Sequence, residues 1–295
     1  MILLDFYKQH NKPTVICLGR FDGLHLGHLS LIERAKQLKL NSSNAVDVCV
    51  FSFFKSEPIS RLNTIFTQEE ALFEIEKTNA DAVIYAYQTQ DFYNTTAIDF
   101  LTTLKNNFSP VAIICGDDYT FGKNKSGNVE FLQTFCNDND INLVVTPMVT
   151  IDGNKVASTF IKECLAIGDI ERANLYLGKK YYMSGIIMQG RGDGSKLGFA
   201  TANINAPDKM PIKNGVYLTK ALLDGKLYDS ITNYGTAPTF GDEKVKIETH
   251  ILGEFDNLYG KKITIYFDKF LRETKKFDTV DQLKAQIKKD LSIYD

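Results

Sequence analysis

From Thr14 to about Ala166, short apolar runs alternate with longer amphipathic ones. Thr14 to Leu18, Val46 to Phe51, Ala82 to Ala86, Val111 to Cys115 and Leu143 to Thr146 are short and nearly continuously apolar, as strands buried on both faces are. Helix candidates lie between them. His28 to Leu40 sets Leu31, Ile32, Ala35 and Leu38 on one face, and Thr67 precedes Gln68 to Lys77 with Glu70 at capping-box spacing. Asn94 to Asn106 and Val129 to Cys136 continue the alternation. Strand then helix, repeated, predicts a doubly wound α/β domain built on a parallel sheet, in which ligands bind beyond the carboxyl ends of the strands. Two short helices follow, Thr159 to Ala166 and Ile170 to Leu177, the second capped by Asp169 and stopped by Gly178.

After Tyr181 the period changes. Tyr181 to Gln189, Gly215 to Leu223, Lys226 to Tyr234, Lys244 to Leu252 and Lys262 to Phe270 read as strands separated by Gly, Asp, Asn and Pro clusters. No helix-sized segment separates them, which predicts an antiparallel β-barrel or sandwich closed by a helix over Val280 to Ser292. The expected domains are 1–178 and 179–295.

Composition narrows the function classes. The 295 residues suit two domains, and 44% hydrophobic with 24% charged residues is the mix of a soluble globular protein, which excludes disordered and fibrous architectures. Lys and Arg total 34 against 36 Asp and Glu, a net charge of −2, so there is no global cationic field for a nucleic acid. No run of apolar residues is long enough to span a bilayer, and Met1 to His10 lacks the apolar core of a signal peptide. Five widely spaced cysteines without a CxxC clip read as reduced thiols of a cytoplasmic protein.

Chemistry concentrates in two places. The first is the loop after the first strand, Gly19-Arg20-Phe21-Asp22-Gly23-Leu24-His25-Leu26-Gly27-His28. Two histidines bracketing a glycine at a helix amino terminus suit a phosphate undergoing substitution. The helix end attracts the anion, Gly27 admits it, and the imidazoles donate to oxygens gaining charge. A tight turn carrying an exposed histidine pair is the plainer reading of the same residues. The second place is Gly190 followed by Gly194-Ser195-Lys196-Leu197-Gly198-Phe199-Ala200-Thr201-Ala202-Asn203. Glycine turns beside Thr and Asn can wrap phosphates and offer oxygen ligands to a hard cation, although an ordinary barrel loop reads similarly.

The string GRFDGLHLGHLSLI resembles the HxGH module of the bacterial bifunctional riboflavin kinase and FMN adenylyltransferase (FAD synthetase) family. Cys115-Gly116-Asp117-Asp118-Tyr119-Thr120-Phe121-Gly122 resembles its flavin-side loop, and Ser158-Thr159 with Ile161 its second nucleotide motif. The resemblance implies ATP held by Gly19, Phe21, Asp22, Gly27, His28, Ser158, Thr159 and Lys162, catalysis by His25 and His28, and flavin against Asp117, Asp118, Tyr119 and Phe121. The later segment resembles the riboflavin kinase signature, with Ala200 in place of a proline. There Gly190, Gly198, Thr201 and Asn203 would take ATP, and Thr201 and Asn203 magnesium. Gly215-Val216-Tyr217, Asn233-Tyr234-Gly235, Pro238-Thr239, Leu258-Tyr259-Gly260, Leu271-Arg272-Glu273 and Phe277 continue the pattern.

Val245, Ile247, Thr249 and Ile251 share one face of their strand, and Lys246, Glu248 and His250 the other. By itself Glu248 reads as a solvated strand carboxylate; the resemblance makes it the base for the riboflavin 5′-hydroxyl and Arg272 a flavin contact. The implied activity is ATP-dependent conversion of riboflavin to FMN and of FMN to FAD, with a divalent cation and with no nucleic-acid or membrane partner. Three departures keep other readings open: Ala157 where the family has serine, Lys162 where it has arginine, and Phe54-Lys55-Ser56-Glu57-Pro58 where it tends to show Pro-His-Pro. The alternatives are a riboflavin kinase with an inactive first domain and a non-catalytic flavin-binding regulator.

Overall fold

A computed structural model describes residues 1–42, 45–54, 63–189, 200–207, 212–237, 242–253, 255, 257–275 and 279–292. Gly190, Gly198, Lys55 to Pro58, Pro238, Thr239 and Phe277 therefore lie outside the described residues. The chain divides into two compact units, Met1–Ser158 and Thr159–Asp295.

The first unit is built on six parallel strands: β1 (Ile2–Asp5), β2 (Thr14–Cys17), β3 (Asp47–Phe54), β4 (Ala82–Tyr87), β5 (Pro110–Gly116) and β6 (Asn142–Thr146). Their spatial order is β1-β4-β3-β2-β5-β6. From β2 the chain winds through α1 (Leu26–Leu40) to β3 and through α2 (Gln68–Glu76) to β4. It then passes through α3 (Gln90–Asn94) and α4 (Ala97–Phe108) to β5 on the other flank of β2, and through α5 (Val129–Asp138) to β6. The reversal puts the switch point at the carboxyl ends of β2 and β5, where an open α/β sheet leaves a crevice.

The strands are apolar on both faces because both are covered. Val15, Cys17, Val48 and Val50 pack with Leu31, Ile32 and Ala35 of α1 and Ile75 of α2. Ile16, Cys49 and Phe51 pack on the opposite side with Phe100, Leu101 and Leu104 of α4 and Leu132 of α5. Thr67 and Glu70 form the expected capping box at the start of α2. The helix expected over Asn94 to Asn106 is α4, which starts later, at Ala97. Thr96 takes a β conformation and its side chain accepts the Asp99 N–H, ending α3 and starting α4.

The second unit opens with α6 (Ser158–Ile167, whose first residue closes the first unit) and α7 (Ile170–Leu177). Asp169 caps α7, and Gly178 ends it in the left-handed region at φ 69°. The buried Asn174 ties α7 to the sheet: its Nδ2 donates to the Phe267 carbonyl at 2.9 Å, and its Oδ1 accepts from the Tyr181 N–H at 2.6 Å. The strands are β9 (Tyr181–Ile186), β10 (Ala200–Asn205), β11 (Gly215–Leu223), β12 (Lys226–Ala237), β13 (Asp242–Ile251) and β14 (Lys262–Arg272), all antiparallel in the order β10-β13-β12-β11-β14-β9. The two ends of the sheet meet where Met188 bridges to Asn203, so the sheet curls toward closure, and α8 (Val280–Leu291) follows. The strand β10 and the edge strand β1 are elements that the hydrophobic pattern did not announce. A short hairpin in the first unit, β7 (Thr150–Ile151) with β8 (Asn154–Lys155), is a third.

Inside the curl, Tyr217, Ala221, Ile247, Ile265 and Phe267 are buried. Four buried hydroxyl residues lie among them. Thr219 bonds Ser230 at 2.8 Å and Thr232 at 2.9 Å, and Thr232 bonds Thr249 at 2.9 Å, so the polar groups satisfy one another. The five cysteines are buried and unpaired, and burial pushes Cys115 up to about 12 and Cys136 up to about 11. Such thiols pack as small apolar groups and stay unreactive.

Candidate active sites

In the first unit the turn from β2 into α1 is tightly specified. Phe21, Gly23 and Leu24 have φ of 46°, 80° and 45°, a run of left-handed residues that reverses the chain within a few positions. Asp22 anchors the turn. Its Oδ1 accepts from the Ile65 N–H at 2.7 Å, and its carbonyl accepts from the Ser158 hydroxyl at 2.9 Å. The second of these bonds joins the two motifs, which lie far apart in sequence.

His25 is the amino-terminal cap of α1, with Nδ1 accepting from the His28 N–H at 3.3 Å. That bond leaves Nε2 as the ring's N–H donor. The His28 ring stacks on His25 with centroids 3.7 Å apart and planes 16° from parallel, and Phe21 backs His28 at 4.8 Å. A Cβ on Gly27 would stand 3.2 Å from the His25 ring and 3.5 Å from the Val156 carbonyl, so a side chain would crowd the pair.

His25, Gly27 and His28 face a cavity of about 690 Å³ at the carboxyl ends of β2, β4, β5 and β6. That volume lies within the roughly 300–1,000 Å³ of small-molecule sites. Gly19, Ser158, Asp118, Tyr119 and Phe121 line it as well. One wall is a run of aromatic rings, with Phe53–Phe92, Phe92–Phe100, Phe100–Phe121 and Phe121–Tyr119 centroids 5.7, 6.4, 5.6 and 5.4 Å apart. Burial pushes the Tyr119 phenol up, so it stays protonated. Lys155 reaches across to Asp118, Nζ to Oδ2, at 2.5 Å.

Phe21 and Asp22 sit beside this cavity, lining an adjoining pocket of about 40 Å³. Asp117 is exposed and is not among the lining residues. Thr159 and Lys162 follow Ser158 on α6, in the second unit. Sequence reasoning missed Gln88, a buried side chain at the end of β4, as well as Phe53, Phe92, Phe100 and Lys155.

In the second unit the strand register assembles the polar residues. Asn203 of β10 and Asn233 of β12 both stand opposite Glu248 of β13, making one row of three side chains on one face. The next row on that face holds Thr201, His250 and Ile231. The Thr201 hydroxyl lies 3.2 Å from His250 Nδ1. Burial pushes the His250 imidazole down to about 4, so at neutral pH it carries no charge. Thr274, just beyond β14, donates to Asn233 Oδ1 at 3.2 Å.

Arg272, at the end of β14, pairs with the last helix. Its Nε lies 3.2 and 3.1 Å from the two carboxylate oxygens of Asp290 on α8, and its Nη2 lies 2.6 Å from Oδ2. The pair ties α8 to the end of β14.

The FAD synthetase family model matches residues 7–160 and the riboflavin kinase model residues 177–294. A bifunctional riboflavin kinase/FMN adenylyltransferase of Haemophilus influenzae is 30% identical over 293 residues, covering 96% of this chain and 95% of the relative. The chain belongs to the bifunctional riboflavin kinase/FMN adenylyltransferase family. The Bacillus subtilis member is 28% identical over 96% of this chain and 92% of its own length. A crystal structure from Streptococcus pneumoniae, described as a macrolide-efflux protein, superposes with a TM-score of 0.88 at 25% identity, over 99% of this chain and 98% of that one. Among the described residues no helix is long and apolar enough to cross a membrane. Carrying both of the family's domains, the chain is an enzyme of flavin cofactor biosynthesis, a riboflavin kinase and FMN adenylyltransferase that uses ATP.

Proposed function

We propose that the two reactions divide between the two motifs, with functional domains 1–178 and 179–295. In the first, ATP lies against Gly19, Gly27, His28 and Ser158, with Thr159 and Lys162 completing the phosphate contacts and Phe21 and Asp22 holding the loop in shape. The FMN ring packs on the aromatic wall, near Asp118, Tyr119 and Phe121, and Asp117 borders that loop. An FMN phosphate oxygen attacks the α-phosphorus and pyrophosphate leaves. His25 Nε2 and His28 donate to oxygens that gain charge, so catalysis is positioning plus charge stabilisation. The observation that carries this reading is the stacked histidine pair at a helix amino terminus, facing a 690 Å³ cavity with an aromatic wall.

In the second domain, Glu248 takes the proton of the riboflavin 5′-hydroxyl as that oxygen attacks the γ-phosphorus of ATP. The Thr201 hydroxyl and the Asn203 amide oxygen, one row apart beside Glu248, are hard oxygen donors of the kind a magnesium ion takes. Among the described residues no group of three or more His, Cys, Asp or Glu forms a preassembled metal cage. The donor set fits a cation that arrives with the ATP phosphates and neutralises their charge when bound. Gly190 and Gly198 belong to the same proposed ATP site. The five buried unpaired thiols suit a cytoplasmic enzyme.

The test is an end-point assay of the full chain with riboflavin, ATP and magnesium, resolving FMN from FAD by chromatography. Both products are expected. His28→Ala should cut FAD formation by about 100-fold or more and leave FMN formation intact. Glu248→Gln should cut FMN formation by about 100-fold or more and leave conversion of supplied FMN to FAD intact. FMN without FAD over hours would refute the adenylyl-transfer roles given to His25, His28 and Ser158, and binding without either product would refute the roles given at both sites.

A further inference from the structure

We propose that His250 is a positioning residue of the kinase site, holding the Thr201 hydroxyl in the one orientation that presents its oxygen to the nucleotide-bound cation. The inference rests on the assignment of Thr201 as a ligand in the preceding section.

The geometry comes from strand register. Thr201 and His250 are direct cross-strand partners of β10 and β13, a relation that brings their Cβ atoms to about 5 Å. The imidazole is 9% exposed, and its residue is flanked on the other side by Ile231 of β12, so the ring has little freedom to turn. Its Nδ1 sits 3.2 Å from Thr201 Oγ1. A threonine hydroxyl has one hydrogen and two lone pairs, and it ligates a cation through a lone pair only when the hydrogen points elsewhere. We assign the His250 proton to Nε2; in that tautomer the Nδ1 lone pair, at hydrogen-bond distance from Thr201 Oγ1, gives the hydroxyl hydrogen a fixed destination. It also selects one rotamer of a β-branched side chain that otherwise has three. Outer partners of this kind orient ligands at metal sites generally, and their loss costs about 10–100-fold in affinity. Glu248 lies in the next row on the same face, so a Thr201 side chain turned from its place would also shift the bound nucleotide against the base.

Asparagine and glutamine at position 250 separate positioning from simple burial. Both are neutral amides, but Asn places its amide near the Nδ1 position and Gln near the Nε2 position. The readouts are the riboflavin kinase KM for Mg·ATP against kcat, and hydrogen exchange in peptides covering residues 200–207 titrated with Mg·ADP. The exchange measurement reports binding at this site without turnover. FAD formation from supplied FMN monitors the integrity of the chain.

His250→Gln should raise KM for Mg·ATP and the Mg·ADP concentration for half-maximal protection by about 10-fold or more, with a smaller change in kcat. His250→Asn should recover most of both. Thr201→Val should show the same loss, and Thr201→Val with His250→Gln should be no worse than either alone. If Thr201→Val weakens Mg·ADP while His250→Gln does not, or if Asn and Gln lose equally, positioning by His250 is wrong. If Thr201→Val leaves Mg·ADP unchanged, the ligand role of Thr201 is wrong, and the inference falls with it.

Discussion

Removing Asp290 should loosen the last helix and with it the kinase site. The Arg272 and Asp290 side chains are 16% and 7% exposed, a nearly desolvated pair. Asp290→Ala deletes the carboxylate that accepts from Arg272 Nε and Nη2 and from Gln286 Nε2, the last at 2.8 Å. Among the described residues Arg272 then keeps the Glu273 carbonyl, at 3.2 Å. Breaking a buried pair by removing one member costs about 3–5 kcal/mol; the residual access of water to Arg272 lowers the expectation to about 2–3 kcal/mol. For a unit of this size that is a drop of roughly 10 °C in its melting transition. The assay is thermal unfolding of the full chain, with hydrogen exchange localised to α8. Replacing both partners, Arg272→Met with Asp290→Leu, should recover most of the loss, because no uncompensated charge remains. Riboflavin phosphorylation should weaken moderately, because the segment after Arg272 reaches Asn233, the cross-strand partner of Glu248, through Thr274. The reasoning is refuted if Asp290→Ala changes stability and α8 exchange by less than about 0.5 kcal/mol while Arg272→Lys abolishes riboflavin binding. That pattern would make Arg272 a ligand contact.

Two more predictions concern single residues. Gly122 has φ 72°, and a Cβ there would stand 2.7 Å from the Ala97 backbone nitrogen. Gly122→Ala should therefore cost about 2–4 kcal/mol and raise KM for FMN in FAD formation, with riboflavin phosphorylation unchanged. His250 titrates near 4 when folded, against an ordinary 6.5, so between those values the unfolded chain binds a proton that the folded chain does not. Stability of the second unit should be flat above about pH 6.5 and fall by on the order of 3 kcal/mol as pH drops to about 4; His250→Asn should remove that contribution, as followed by urea unfolding across pH.

The parallel sheet was legible because its signals are local. Thr67 with Glu70 marks the start of α2 through side chains that act within a few residues, and the pair does so in the structure. Val15 to Cys17 of β2 and Val48 to Phe51 of β3 are apolar at successive positions because helices cover both faces, and a continuous apolar run announces that. What the sequence hid depends on distant partners. Ile2 to Asp5 becomes a strand only by pairing with β4. The residues Ala200 to Asn205 do alternate apolar and polar positions, but two of the three apolar ones are alanines, a faint signal, and what fixes them as a strand is β13, which lies far along the chain. The start of α4 at Ala97 escaped periodicity because the residues on both sides of Thr96 are helical. Gln88 carries no local signal: its place in the cavity comes from the stagger of β4 against its neighbours.

The same distinction explains how the two sites differ. The histidine pair lies within one turn of α1, so its chemistry can be read as a string, and the fold adds the wall it faces and the Ser158–Asp22 bond that joins the second motif. The kinase row has no such string. Asn203, Asn233 and Glu248 are separated by long stretches of chain and meet because three antiparallel strands share one register. A slip of one residue in β13 would turn Glu248 and His250 to the inner face and Ile247 and Thr249 out of it. The buried chain of hydroxyls from Thr219 to Thr249 opposes such a slip, because it would strand those groups without partners. The inner face, which touches no substrate in this scheme, thus keeps the base, the hydroxyl and the amide of the outer face in line.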